Sequence, residues 1–144
     1  MRIALGSDMT GELPEAIERW LRAHDHQVIR FGALAQGTDD AWPSVGREVA
    51  QAVARGEAQY GVLCCWTGTG VSIAANKVAG IRAALCGDAA TAAGAREWND
   101  ANVLCLSLRA TTGTMAEEML EAWFAATPTQ DPAYGAMIAD IRSL

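Results

Sequence analysis

Apolar and polar positions along the chain change period repeatedly, and each change marks an element. Arg2–Gly6 is a short apolar run that predicts a strand, closed by the polar turn Ser7-Asp8-Met9-Thr10-Gly11. Leu13, Ile17, Trp20 and Leu21 then recur at helical spacing within Glu12–Ala23. Gln27–Phe31 predicts a second strand, and Gly32–Pro43 a loop holding Gly37, Asp39-Asp40 and Trp42-Pro43. Val45, Val49, Ala52 and Val53 share one face of a helix over Val45–Arg55, which Gly56 ends. In Gly61–Lys77 a strand ending in Cys64-Cys65 breaks into Thr67-Gly68-Thr69-Gly70, and a helical pattern resumes over Val71–Lys77. Arg82–Cys86 predicts a fourth strand, Ala89–Glu97 an alanine-rich helix, and Asn102–Leu106 a fifth strand. Met115–Ala126 is a helix with Met119, Leu120, Trp123 and Phe124 to bury; Pro128–Pro132 breaks the chain before a last helix over Ala133–Leu144.

Strands alternating with helices predict an α/β fold: a Rossmann-like, doubly wound, five-stranded parallel sheet with helices on both faces, in a single domain over residues 1–144. In such a sheet the ligand lies beyond the carboxyl ends of the strands, where the strand order reverses. An order of 2-1-3-4-5 makes the first and third strands neighbours there. The loops Ser7–Gly11 and Trp66–Gly70 then share one crevice, with Asp8 opposite Cys65. Asp8 has two readings at this stage, a cap for the helix at Glu12 or a partner for a substrate hydroxyl. In the polar junction Arg96–Asn102, Asn99 or Asn102 is expected in a left-handed turn conformation.

Charge narrows the function. A net charge of −6 without a basic stripe argues against nucleic acid, and no apolar run is long enough to span a membrane. Arg2 leads directly into strand-like residues, not a signal peptide, so the expected location is cytoplasmic. Cysteines 64, 65, 86 and 105 form neither a CxxC pair nor a disulfide framework, and the two histidines, His24 and His26, sit together near a turn. No metal site and no cofactor are expected. Cys64, Cys86 and Cys105 read as buried filler.

Cys65 differs from them in position. A strand that feeds a glycine-rich turn opening a helix aims several backbone N–H groups at one point, which suits an anion or an oxygen that becomes anionic during a reaction. A thiol at that point is favoured as its thiolate and becomes a usable base or nucleophile. A dinucleotide site is disfavoured, because Ile73 stands where GxGxxG needs its third glycine, and no Walker A pattern is present.

Further stretches carry a resemblance. Gly6-Ser7-Asp8, the Cys65–Gly70 pattern CxTGxG, SIAANK at 72–77, GIRAALC at 80–86 and REWNDANVL at 96–104 resemble type B ribose 5-phosphate isomerases and their galactose 6-phosphate isomerase relatives, over residues 1 to about 126. The resemblance implies aldose–ketose isomerisation through a cis-enediolate without metal, on a small carbohydrate, in a homodimer or tetramer with sites at the interface. It implies Cys65 as the base, with the 67–70 amides, including those of Gly68, Thr69 and Gly70, as oxyanion donors. Thr67 and Asp8 match contacts to sugar hydroxyls and ring oxygen. Asn99 matches a contact to the reacting oxygens, delivered from the partner, and Arg109 a phosphate-site arginine. The 127–144 tail is expected at the dimer interface.

Departures cluster around the same site. Met9 stands where the family has histidine after the first aspartate, Trp66 where it has glycine after the cysteine, and Trp98 where it has a ring-opening histidine. Trp42 replaces a tyrosine before proline. The family's phosphate-clamping Arg-His-x-x-Arg aligns with Ala133-Tyr134-Gly135-Ala136-Met137, and beyond Arg109 the only cation left is Arg142. Losing several guanidinium groups together weakens a grip on phosphate, while indoles at 42, 66 and 98 offer faces for sugar C–H surfaces. The resulting expectation is an isomerase whose substrate is not held as an ordinary sugar phosphate. The alternatives are a ribose 5-phosphate isomerase with a rearranged clamp, or a non-catalytic sugar-binding subunit.

Overall fold

A computed structural model describes all of residues 1–144. The strands are β1 (Arg2–Ser7), β2 (Gln27–Gly32), β3 (Tyr60–Cys65), β4 (Ala83–Leu85) and β5 (Val103–Ser107). The helices are α1 (Glu12–Ala23), α2 (Trp42–Ala54), α3 (Thr69–Ala75), α4 (Ala89–Asn99), α5 (Gly113–Ala125) and α6 (Pro132–Arg142). All five strands are parallel in one sheet.

Side-chain alternation along the strands divides the core into two layers. Ile3, Leu5, Val62, Cys64, Leu104 and Leu106 face one way, onto Leu13, Ile17 and Leu21 of α1 and Met119, Leu120 and Trp123 of α5. Ala4, Leu63, Cys65, Val103 and Cys105 face the other, onto Val45, Val49 and Val53 of α2 and Val71 and Ala75 of α3. Adjacent Cys64 and Cys65 therefore lie in opposite layers. Cys64, Cys86 and Cys105 are buried, and burial pushes all three thiols upward, Cys86 to about 11.

Three expectations are corrected. The strand order is β2-β1-β3-β5-β4, not 2-1-3-4-5. VLCLS of β5 is apolar enough to lie between two strands, and it pairs with β3 from Gly61↔Val103 to Cys65↔Ser107. β4 has three residues, none of them buried, which suits an edge. The expected β1–β3 neighbourhood is present, with Ser7 beside Cys64. Helix α2 starts at Trp42, three residues before the predicted Val45, with Pro43 inside its first turn, where no N–H is needed. The Asp39 carboxylate fastens that turn, accepting from the Ala41 N–H at 2.9 Å and the Ser44 hydroxyl at 2.6 Å. The left-handed residue at the α4–β5 junction is Asp100 (φ 47°), not Asn99 or Asn102. Asn102 instead clasps the β4 lead-in, accepting from Arg82 N–H at 2.8 Å and donating to the Gly80 carbonyl at 2.9 Å.

Candidate active site

The loops at the carboxyl ends of β1, β3 and β5 are stitched together through the carbonyls of Cys64, Cys65 and Trp66. The Cys65 carbonyl accepts from Gly68 N–H (3.1 Å) and Leu108 N–H (3.0 Å). The Trp66 carbonyl accepts from Arg109 N–H (3.1 Å) and the Ser107 hydroxyl (2.9 Å). Asp8 N–H reaches the Cys64 carbonyl at 3.4 Å, which sets the β1 loop beside the end of β3. Ser107 and Leu108 were not among the expected site residues. Their signal was a hydroxyl ending the otherwise apolar run VLCL.

The glycine turn performs two separate tasks. Gly68 takes φ +74°, and a Cβ there would lie 2.5 Å from Leu85 Cδ1 and 3.0 Å from the Leu106 backbone. Its N–H is already given to Cys65, so of the expected oxyanion donors this one is spent. The N–H groups of Thr67, Thr69, Gly70 and Val71 make no hydrogen bond within the chain. The last three are the unsatisfied first-turn donors of α3, and Thr67 stands just ahead of its Gly68 N-cap. The Thr67 and Thr69 hydroxyls are paired at 2.6 Å across the turn. Gly68→Ala is expected to cost at least about 1–2 kcal/mol from the left-handed backbone alone, with the contact to Leu106 added to it. Chemical denaturation measures the loss; a variant as stable as the parent contradicts the assignment.

Cys65 is 5% exposed, with its side chain in the α2–α3 layer. Over that layer, Trp42 packs on the turn, its ring atoms lying 2.8–2.9 Å from where a Gly70 Cβ would be. Only glycine at 70 admits the indole that closely.

Asp8 does not cap α1, whose N-cap is Gly11 without any side-chain bond. Its Oδ1 is buried without a partner, and burial, opposed by a backbone hydrogen bond and aided by the Asp40 carboxylate, raises its pKa above 3.8. A carboxyl that is harder to ionise when folded contributes stability that is full below the unfolded pKa and lost as pH rises through the folded value. Asp8→Asn is therefore expected to raise the melting temperature at pH 7, and the gain should shrink as pH falls toward 4. Melting curves across that range decide it, and a gain independent of pH rejects the burial argument.

Three clefts open at this end of the sheet. Met9 and Trp66 face one of ≈ 430 Å³ with Leu13, Leu108 and Thr111. Asp8 and Met9 border a second with Thr38 and Asp40. Thr67 and Arg109 line a third with Ser107 and Thr111. The Arg109 side chain is exposed and makes no ion pair or hydrogen bond. Asn99 and Trp98 share none of these clefts. Both line a fourth, which meets the Thr67 cleft at Leu85 and Cys86 and in which the Trp98 ring lies against Gly94. The three indoles expected around one pocket thus occupy three places in the chain, over Gly70, in the Met9 cleft and on α4. Unlike Arg109, Arg142 is engaged, donating to Asp100 at 2.5 Å.

Comparison with known proteins places this geometry among isomerases. The chain matches the model of the Ribose/Galactose Isomerase family over residues 3–139. It is 40% identical over 126 residues to ribose-5-phosphate isomerase B of Escherichia coli, covering 87% of this chain and 84% of that protein. Identity to D-erythrulose-4-phosphate isomerase of Pectobacterium atrosepticum is 36%, with 85% and 82% covered. The fold superposes on ribose-5-phosphate isomerase B of Clostridium thermocellum with a TM-score of 0.90 at 38% identity, covering 99% and 96% of the two chains.

Proposed function

Because the chain belongs to the Ribose/Galactose Isomerase family, whose named members are sugar-phosphate isomerases, we propose that it interconverts an aldose and its ketose with Cys65 as the base. The thiolate takes the proton from C2 of the open-chain aldose, and the electron pair of that C–H bond becomes the C1–C2 double bond of a cis-enediolate. The same thiol returns the proton to C1, while a proton passes from O2 to O1. No net proton, electron or atom is gained.

The observation that carries this reading is the set of unspent N–H donors at Thr67, Thr69, Gly70 and Val71, immediately beyond Cys65. A proton on carbon is weakly acidic, so its removal needs donors already aimed at the oxygen that becomes negative. Asp8, with a buried and unpartnered oxygen on the neighbouring strand, supplies a hydrogen-bond site for a substrate hydroxyl. Thr67 offers a second, and burial of Cys65 keeps bulk water from the base.

The working unit in this proposal is a cytoplasmic homodimer. Asn99 and Trp98, whose cleft meets the Thr67 cleft of their own chain only at Leu85 and Cys86, enter the Cys65 crevice of the second copy, and α6 lies at the interface. The direct test is deuterium incorporation at C2 of aldoses in deuterated water. Exchange above the protein-free rate is expected for at least one sugar, and none with any aldose or ketose rejects the reading. A second reading, ribose 5-phosphate isomerase with a rearranged phosphate grip, is favoured by the unpaired Arg109 guanidinium beside Thr67. It requires rapid turnover of that ester.

A further inference from the structure

Resting on the isomerase reading, we infer that Asn76 is a positioning residue for the reaction: its carboxamide joins α3 to β4 and so holds the Thr67–Gly70 turn that touches both. β4 is an edge strand, paired with β5 on one side only, from Ala83↔Val103 to Leu85↔Cys105. No strand lies on its open side, yet both backbone groups of Ala83 are paired. The Asn76 Oδ1 accepts from the Ala83 N–H at 2.9 Å, and the Asn76 Nδ2 donates to the Ala83 carbonyl at 2.9 Å. A carboxamide presents an acceptor and donors side by side, as a peptide group does, so this side chain stands in for one residue of a sixth strand. The same Nδ2 donates to the Ser72 carbonyl at 3.0 Å, on α3.

Both of the joined elements end against the glycine turn. α3 begins at Thr69, within it. Leu85, two residues along β4 from Ala83, fills the space beside Gly68, its Cδ1 lying 2.5 Å from where a Cβ would stand. The same side chain lines the cleft of Thr67 and Arg109. β4 has three residues and none is buried, so its place depends on hydrogen bonds more than on packing. Asn76 supplies those of the open side and fixes them to the far end of α3. It borders none of the three clefts around the turn, so its influence runs through α3 and Leu85 and not through contact with substrate. A displacement of about 1 Å among reacting groups is enough to cost on the order of 10²-fold in rate.

The test measures kcat, KM and amide hydrogen exchange in Asn76→Ala and Asn76→Asp, which alter an exposed side chain and remove no core packing. The probe is whichever aldose the parent turns over fastest among free and phosphorylated sugars of about four to six carbons. Asn76→Ala is expected to lower kcat about tenfold at nearly constant KM, because the turn shifts while every substrate contact remains. The isosteric Asn76→Asp keeps the acceptor for Ala83 but turns a carboxylate on two carbonyls. Its kcat relative to the parent should rise as pH falls from about 8 to about 5.5, where a protonated carboxyl regains one donor. The Gly68 and Ser72 amides, bonded within the turn at 3.1 and 3.3 Å, should exchange about tenfold faster, with the β1 amides unchanged. A kcat within twofold of the parent in both variants overturns the positioning role. So does faster exchange spread evenly over the chain, the mark of a general loss of stability. A parent inactive on every sugar rejects the isomerase reading instead, and the Gly68 and Ser72 amides then decide whether Asn76 holds the turn.

Discussion

Cys65→Ala is expected to abolish C2 proton exchange, lowering it by about 10²–10⁴-fold, the usual contribution of a positioned general base. The reasoning is one of geometry. No histidine is available, since His24 and His26 lie at the amino ends of the strands, beside Trp20 and Phe124. Asp8 follows the neighbouring strand, but its pKa is raised by burial, and its unpartnered Oδ1 suits it to receiving a hydroxyl. Cys65 is the thiol at the carboxyl end of β3, next to the free N–H groups, whereas Cys64 faces the opposite layer and Cys86 and Cys105 come from other segments of the chain. Alanine keeps the side chain small and apolar, so an unchanged circular dichroism spectrum with lost exchange separates chemistry from folding. Exchange within tenfold of the parent would remove Cys65 from the mechanism.

The largest stability effect is expected at Asp100. Its carboxylate receives Arg82 at 3.0 Å, Arg96 at 2.9 Å and Arg142 at 2.5 Å. Burial alone would raise its pKa, but hydrogen bonds from Arg142 and Arg96 and the nearby Arg82 charge hold it below 3.8. Arg96 is itself 6% exposed, wedged over the Tyr60 ring at 4.7 Å from its centroid, and donates to the Ala101 carbonyl and the Tyr60 hydroxyl. Asp100→Ala leaves that guanidinium buried without its counter-charge. A loss of about 3–5 kcal/mol follows, some 10 °C or more in melting temperature. Arg142, exposed at the rim, should cost no more than about 1 kcal/mol when replaced by alanine. Because the Asp100 pKa is depressed on folding, its contribution is present above the unfolded value and is lost as pH falls through the folded one. An Asp100→Ala melting temperature within 2 °C of the parent contradicts this account.

How far such features were legible depends on whether they act locally. Helix α1 was found to the residue, because Leu13, Ile17 and Leu21 mark a buried stripe whatever surrounds them. The opposite facing of Cys64 and Cys65 follows from strand periodicity alone. Pro43 misled, since proline breaks a helix interior but fits a first turn, and only the Asp39 contacts distinguish the two. Asp100 was overlooked in favour of Asn99 and Asn102, because this left-handed residue is held by arginines from the β4 lead-in, α4 and α6 that no local pattern brings together. At the site, the β1 and β3 loops were foreseen as neighbours. The backbone ties from 107–109 were not, as they depend on β5 lying beside β3.

That placement of β5 has a consequence for how the chain assembles. β3 precedes both β4 and β5, yet its second edge is filled by the last strand made. A chain emerging from its amino terminus can pair β2, β1 and β3, after which an apolar edge stays open until residue 107 arrives. The loop following Cys65 gains its anchors from residues 107–109 in the same event. Closure of the sheet and completion of the reactive loop are thus one step of folding. A shortened chain ending before β5 would carry the cysteine and its glycines, but it would leave them unanchored on a surface prone to self-association.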